Sequence, residues 1–400
     1  MKKIFTAILF LFPLGEILRL DFANGVSLKP LDIGVGIIVV LWAIFKMAKK
    51  EKIKQKRVYV PILLFAGSGA LSLLINYSNL TINQFFISLT YLVRWVAYAG
   101  IFFVVSDFDK EFKERILKLL IVIGSLIVAS GYLQYIFYPN LRNLFYLGWD
   151  EHMYRIFSVF LDPNFAGAFF VLFFLFLINL FLKRKSIPIA LLSFVTLGAV
   201  FLTFSRSALI MLVVSSSLLF VLMNRKILIV FLLVIILSVL AISSRNFNIE
   251  NINLFRVASS EARIETTRNA IKIIQDHPIL GVGFNAYRYA QFRYGFRNEA
   301  NPISHADASP DNSFLFIMAT TGIVGFILYS FLWLRLLENA SILAIASVAG
   351  VFIDSLFING LFYPFIALWL WIILALSISP APSSRSVKFK QKKYRPKRAG

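Results

Sequence analysis

Across 400 residues the chain is 59% hydrophobic, 16% aromatic and only 15% charged. That is more apolar surface than a water-soluble domain can bury, so a soluble enzyme is excluded and the bilayer has to serve as solvent. A net charge of +21 would suggest nucleic acid in a soluble protein; here the Lys and Arg residues lie between apolar runs and set topology, and the absence of Cys excludes a disulfide framework or a thiolate metal site.

Apolar runs of about 17 to 25 residues predict helices. They cover residues 4–20, 31–48, 58–75, 82–105, 116–137 and 165–182, then 187–202, 208–222, 227–242, 313–333, 340–357 and 361–377. The opening Met1-Lys2-Lys3 resembles a secretory signal, but Glu16 and Arg19 arrive before any small-residue cleavage site, so the first run reads as an uncleaved span. With the amino terminus cytoplasmic, the basic clusters 46–57, 110–115, 183–185, Arg225 with Lys226, Arg335 and the tail 385–398 all fall inside. The positive-inside rule then predicts about twelve spans with both termini cytoplasmic. The expected fold is all-α and polytopic, a membrane domain over 1–380 followed by a basic cytoplasmic tail over 381–400. That tail reads as a topology anchor, with binding to anionic headgroups as the second reading.

Two outer segments break the pattern, 138–164 and 243–312. The second, between the ninth and tenth spans, has about 70 residues, far more than two helices need to be joined, and is expected to form an extracytoplasmic cap. Within it SSEARIETTRNAIKIIQD predicts an amphipathic helix capped at Ser259 or Ser260, with Ile264, Ile271 and Ile274 on one side and Arg268 and Lys272 stacked on another. Pro278 and Gly281 end it. Four further positions carry two readings each. Arg206, in the short turn between the runs 187–202 and 208–222, either snorkels at the interface or binds phosphate. Arg94, inside a span, needs a partner or a hydrated cavity. Asp162-Pro163-Asn164 either starts a helix or meets substrate, and Asp311-Asn312 either caps the run that follows or does chemistry.

Asp311 and Asn312, followed by the nine residues 313–321 and then Gly322 and Gly325, resemble the His-(Asn/Ser/Gln), nine residues, Gly-x-x-Gly motif of the O-antigen ligase and polymerase family, with Asp in place of His. Arg263 through DHPILGVGF is similar to a second stretch of that family, Thr203 to Ser207 to the turn that places a phosphate-binding Arg, and Pro163-Asn164 with Ala166 to a Pro-Asn-x-x-Ala region. His277-Pro278 reads as a turn element.

The resemblance implies a glycosyltransferase of the cytoplasmic (inner) membrane, with its active site on the extracytoplasmic face. It would transfer a glycan from a polyprenyl (undecaprenyl) diphosphate carrier to an acceptor sugar, either on a lipid A core or on another lipid-linked repeat. Arg206 and Arg263 would bind the diphosphate, with Arg268 and Arg94 as further candidates. Asp311 would act on the acceptor hydroxyl, supported by Asn312, with His305 nearby. No cofactor and no nucleic acid is expected, and no metal, since His305, Asp307 and Asp311 share one loop that defines no coordination geometry. A transporter or flippase of lipid-linked glycans is the alternative of another class, and a membrane scaffold a third; the one-sided concentration of polar features argues against the former.

Overall fold

A computed structural model describes residues 1–22, 26–53, 55–243, 258–298 and 305–377. Its helices in chain order are α1 (Lys2–Leu11), α2 (Pro30–Ala48), α3 (Lys56–Ile75), α4 (Ile82–Ser106), α5 (Lys110–Phe137), α6 (Pro163–Arg184) and α7 (Ile187–Leu202). There follow α8 (Arg206–Met223), α9 (Arg225–Ser243), α10 (Ala258–Asp276), α11 (Tyr287–Arg293), α12 (Ser313–Leu337), α13 (Ile342–Asp354) and α14 (Pro364–Ser377). Each predicted apolar run is at least partly helical. Among the described residues seven helices, α2 to α6, α8 and α12, are long and apolar enough to cross a bilayer, and α7, α13 and α14 are shorter apolar helices. The tail 381–400 lies outside the described residues.

The first run departs from expectation. Its helix α1 has ten residues, a length of about 15 Å, because Pro13 and Gly15 turn the chain through a 3₁₀ turn. An antiparallel hairpin of β1 (Leu20–Phe22) and β2 (Val26–Leu28) follows, which the apolar pattern did not predict. Glu16, which falls inside the predicted span 4–20, is buried with Lys29 Nζ 3.1 Å from its Oε1.

Helix α6 forms the centre of the bundle. It is apolar on every side, and residues 166–177 are buried without interruption, as expected of a helix with neighbours all round. Phe169, Phe173 and Phe176 pack edge-on against Trp369 of α14, with ring centroids 5.2, 6.0 and 5.7 Å away.

Helix α12 is broken at Gly322, where φ is 63°. A break inside an apolar bundle frees N–H and C=O groups that lipid cannot satisfy. The turn after α10 supplies partners. Val282 N–H donates to Ala319 O at 2.9 Å and Gly283 N–H to Thr320 O at 3.2 Å; Ile323 N–H donates to Pro278 O at 2.8 Å. From α3, Asn76 Nδ2 donates to Gly281 O at 3.0 Å, and Ser72 Oγ lies 2.8 Å from Thr320 O. His277-Pro278 is thus a turn element, as its sequence suggested. This insertion holds α10 against the N-terminal half of α12 and so positions the site.

Candidate active site

The loop 138–162, the start of α6, the turn between α7 and α8, helix α10, the start of α12 and the end of α13 converge at one end of the bundle. Arg206 is the first residue of α8, directly after the N-cap Ser205. Ser205 Oγ donates to Asn164 Oδ1 at 2.9 Å, so the Pro163-Asn164 region holds the turn that carries Arg206. Asp162 is the N-cap of α6: its Oδ1 accepts the amides of Asn164 at 2.6 Å and Phe165 at 3.3 Å.

On α10 the inward face is Arg263, Thr266, Ala270 and Ile273, the last two fully buried. Their spacing of three or four residues puts them in one stripe. This corrects the predicted face in part: Ile274 packs against the buried cluster around Ala270 and Ile273, but Ile264 and Ile271 are 59% and 43% exposed, because an apolar side chain on a membrane protein need not point into the core. Arg268 is exposed, about 140° round the helix from Arg263.

Arg263 lies close enough to Arg206 to oppose its charge. Asp311 stands near Arg263, with the Thr266 hydroxyl within hydrogen-bond reach. Burial pushes its carboxyl above the ordinary carboxylate range; Asp162 adds to this, and Arg263 and Thr266 oppose it. The two readings of Asp311-Asn312 divide between the residues. Asn312 is the cap, its Oδ1 accepting Phe314 N–H at 2.8 Å and Leu315 N–H at 3.0 Å while its Nδ2 donates to Leu356 O at 3.3 Å. Asp311 is thereby left to the site.

More carboxylates surround the opening. Asp150 is pushed up to about 6 by the enclosing walls and by Asp162, Asp311 and Asp307, against Arg155. Its side chain is 69% exposed, so solvent at the mouth screens part of that effect. His152 is buried, with Nε2 3.8 Å from Asp162 Oδ2 and 3.9 Å from Asp150 Oδ2. Tyr287 keeps its hydroxyl buried within reach of Asp311's charge, and burial raises that phenol too. Asp307 pairs with Arg297. His305 opens a short 3₁₀ turn, and its side chain lies outside the described residues.

Arg94 is elsewhere. It grips Asp32 with two nitrogens, its Nε 3.0 Å from Asp32 Oδ1, and Tyr98 donates to the same oxygen at 2.7 Å. Its intramembrane charge is therefore answered by an ion pair. Three groups at the site were not singled out from the sequence: Asp150, His152 and Asp354. Asp354 is fully buried at the end of α13; among the described residues no hydrogen bond of ordinary geometry reaches its carboxyl oxygens, while Ser207, Arg263 and Asp162 lie close enough to act on its charge. A signal existed for it, an acid inside the apolar run 340–357. Asp150 and His152 lacked one, since polar residues are ordinary in a loop.

Residues 189–330 match a family model described as O-Antigen ligase. This match supports assignment to the O-antigen ligase and polymerase family. The matched segment runs from α7 through most of α12 and contains Arg206, Arg263, Asp311 and Gly322, whereas Asp150, Asp162 and Asp354 join the cluster from outside it. No curated protein matches the chain.

Proposed function

We propose that the protein transfers a glycan from a polyprenyl diphosphate carrier to the hydroxyl of an acceptor sugar, on the extracytoplasmic side of the cytoplasmic membrane. The observation that carries this reading is the approach of Arg206 to Arg263, with a partly buried carboxylate, Asp311, beside them. Two guanidinium groups brought together repel unless an anion lies between, and the planar fork of Arg matches phosphate oxygens.

In the proposed step Asp311 takes the proton of the acceptor hydroxyl, and that oxygen bonds to the anomeric carbon. The bond from that carbon to the diphosphate breaks, its electron pair leaving with the diphosphate. Arg206 and Arg263 hold the charge that develops there. The ionised form of Asp311 is the one required, and Arg263 favours it against burial. Asn312 supports Asp311 by fixing the start of α12 and not by direct contact with a substrate.

The test supplies purified protein with a defined lipid diphosphate-linked glycan and offers either a core-sugar acceptor or a second lipid-linked repeat. Product on the first acceptor makes it a ligase and product on the second a polymerase. Translocation of the donor across vesicles without any new glycosidic bond would overturn the transferase reading in favour of a flippase.

A further inference from the structure

Arg155 is an arginine in the loop 138–162 that is only 3% exposed. A guanidinium that deeply enclosed is costly unless its donors are used. Its Nε donates to Thr203 O at 2.7 Å and its Nη2 to Phe204 O at 3.5 Å, while the neighbouring Ile156 N–H donates to Leu202 O at 2.9 Å. Three consecutive carbonyls, at the end of α7 and in the turn after it, are thus received by one dipeptide. These are acceptors that the end of a helix leaves without intrahelical partners, and a cation there also suits the helix dipole. The turn is strained, with Phe204 in the left-handed region at φ 47°, and it leads within two residues to Arg206. Arg155 is itself held from the other side, where its carbonyl accepts Gln134 Nε2 at 3.3 Å and Gln134 Oε1 accepts Phe157 N–H at 2.9 Å.

We propose that Arg155 is a positioning residue, which fixes the backbone turn so that Arg206 meets the donor diphosphate in register with Arg263. The inference rests on the donor-binding reading of Arg206. Lys at 155 keeps the charge but cannot span two successive carbonyls with a planar fork.

The experiment uses the full-length protein in lipid nanodiscs with a fluorescent polyprenyl diphosphate as probe, and compares wild type, Arg155→Lys, Arg206→Lys and the double variant for probe affinity, transfer rate and melting temperature. Misplacement of Arg206 is expected to weaken the probe on the order of tenfold or more in Arg155→Lys, with a melting temperature close to wild type. The double variant should bind no worse than Arg206→Lys alone, because a positioning residue has nothing left to position. Should Arg155→Lys not accumulate, Arg155→Gln, which keeps an amide donor and drops the buried charge, carries the same comparison. Wild-type affinity in the Arg155 variant, or losses that add in the double variant, overturns the positioning role while leaving the donor reading intact. Normal affinity in Arg206→Lys overturns both.

Discussion

Ile323 donates its amide to the carbonyl of Pro278 at 2.8 Å, and this bond joins two sequence motifs that lie about 45 residues apart. HPILGVG and the Gly-x-x-Gly of α12 are two halves of one construction: a helix interrupted at Gly322 and a turn laid into the interruption. Arg263 sits before the first motif and Asp311 before the second, so joining the motifs brings the two candidate side chains within reach of each other's charge.

The first prediction concerns that joint. A Cβ at Gly322 would stand 2.2 Å from Ile279 C, and one at Gly281 would stand 2.5 Å from Thr320 C, in both cases against backbone that cannot swing away. Both glycines also have positive φ, 63° and 64°. Gly322→Ala and Gly281→Ala are each expected to cost about 3 kcal/mol or more. Thermal unfolding in detergent measures this, and a melting temperature equal to wild type would show that the insertion tolerates a side chain.

The second concerns the donor. Arg206→Lys and Arg263→Lys keep the positive charge but lose the fork, so each is expected to accumulate in the membrane and to lose most transfer activity. Near-normal turnover in both would make them interfacial anchors instead.

The apolar runs were legible because lipid imposes long hydrophobic stretches, and the turn 203–205 and the start of α12 were legible because caps and breaks have side-chain signatures. What escaped depended on direction. Ile264, Ile271 and Ile274 marked an apolar face of α10, yet the first two are exposed while Arg263 and Thr266 point inward. Arg155, in a polar loop, reads as a solvated charge until the carbonyls of Thr203 and Phe204 arrive from 48 and 49 residues away. Pro13 and Gly15 did announce the end of α1, but the apolar residues beyond them concealed the break.

The third prediction separates a structural arginine from those proposed to bind the diphosphate. Arg94 and Asp32 answer each other within the bundle, with side-chain exposures of 16% and 4%. Removing one partner strands the other charge, so Arg94→Gln is expected to cost about 3 to 5 kcal/mol, and Arg94→Gln with Asp32→Asn distinctly less. Transfer per folded molecule should stay near wild type in the double variant. A folded double variant that has lost donor binding would return Arg94 to the candidates for the diphosphate.

The last prediction uses the division of labour between Asp311 and Asn312. Asn312→Ala removes the cap of α12 and is expected to cost about 1 kcal/mol with a modest loss of transfer. Asp311→Asn should behave in the opposite way. The Asp311 carboxyl is held above its ordinary range chiefly by burial, so its charged form is disfavoured in the folded protein. Between the unfolded value of about 3.9 and the higher folded one, the native state binds more protons, and stability falls as pH rises through that window. Asn carries no charge, so above the window Asp311→Asn should be at least as stable as wild type. It cannot take the acceptor's proton. Transfer is expected to fall on the order of 10²-fold while donor binding is kept, and the rise of rate with pH that accompanies ionisation of Asp311 should disappear. Asp311→His should recover part of the rate, with an inflection at about 6.5, the ordinary imidazole value. Melting curves and pH–rate profiles of the four proteins decide the matter: full activity of Asp311→Asn would remove Asp311 as the base and pass the role to another carboxylate of the cluster, Asp150, Asp162 or Asp354.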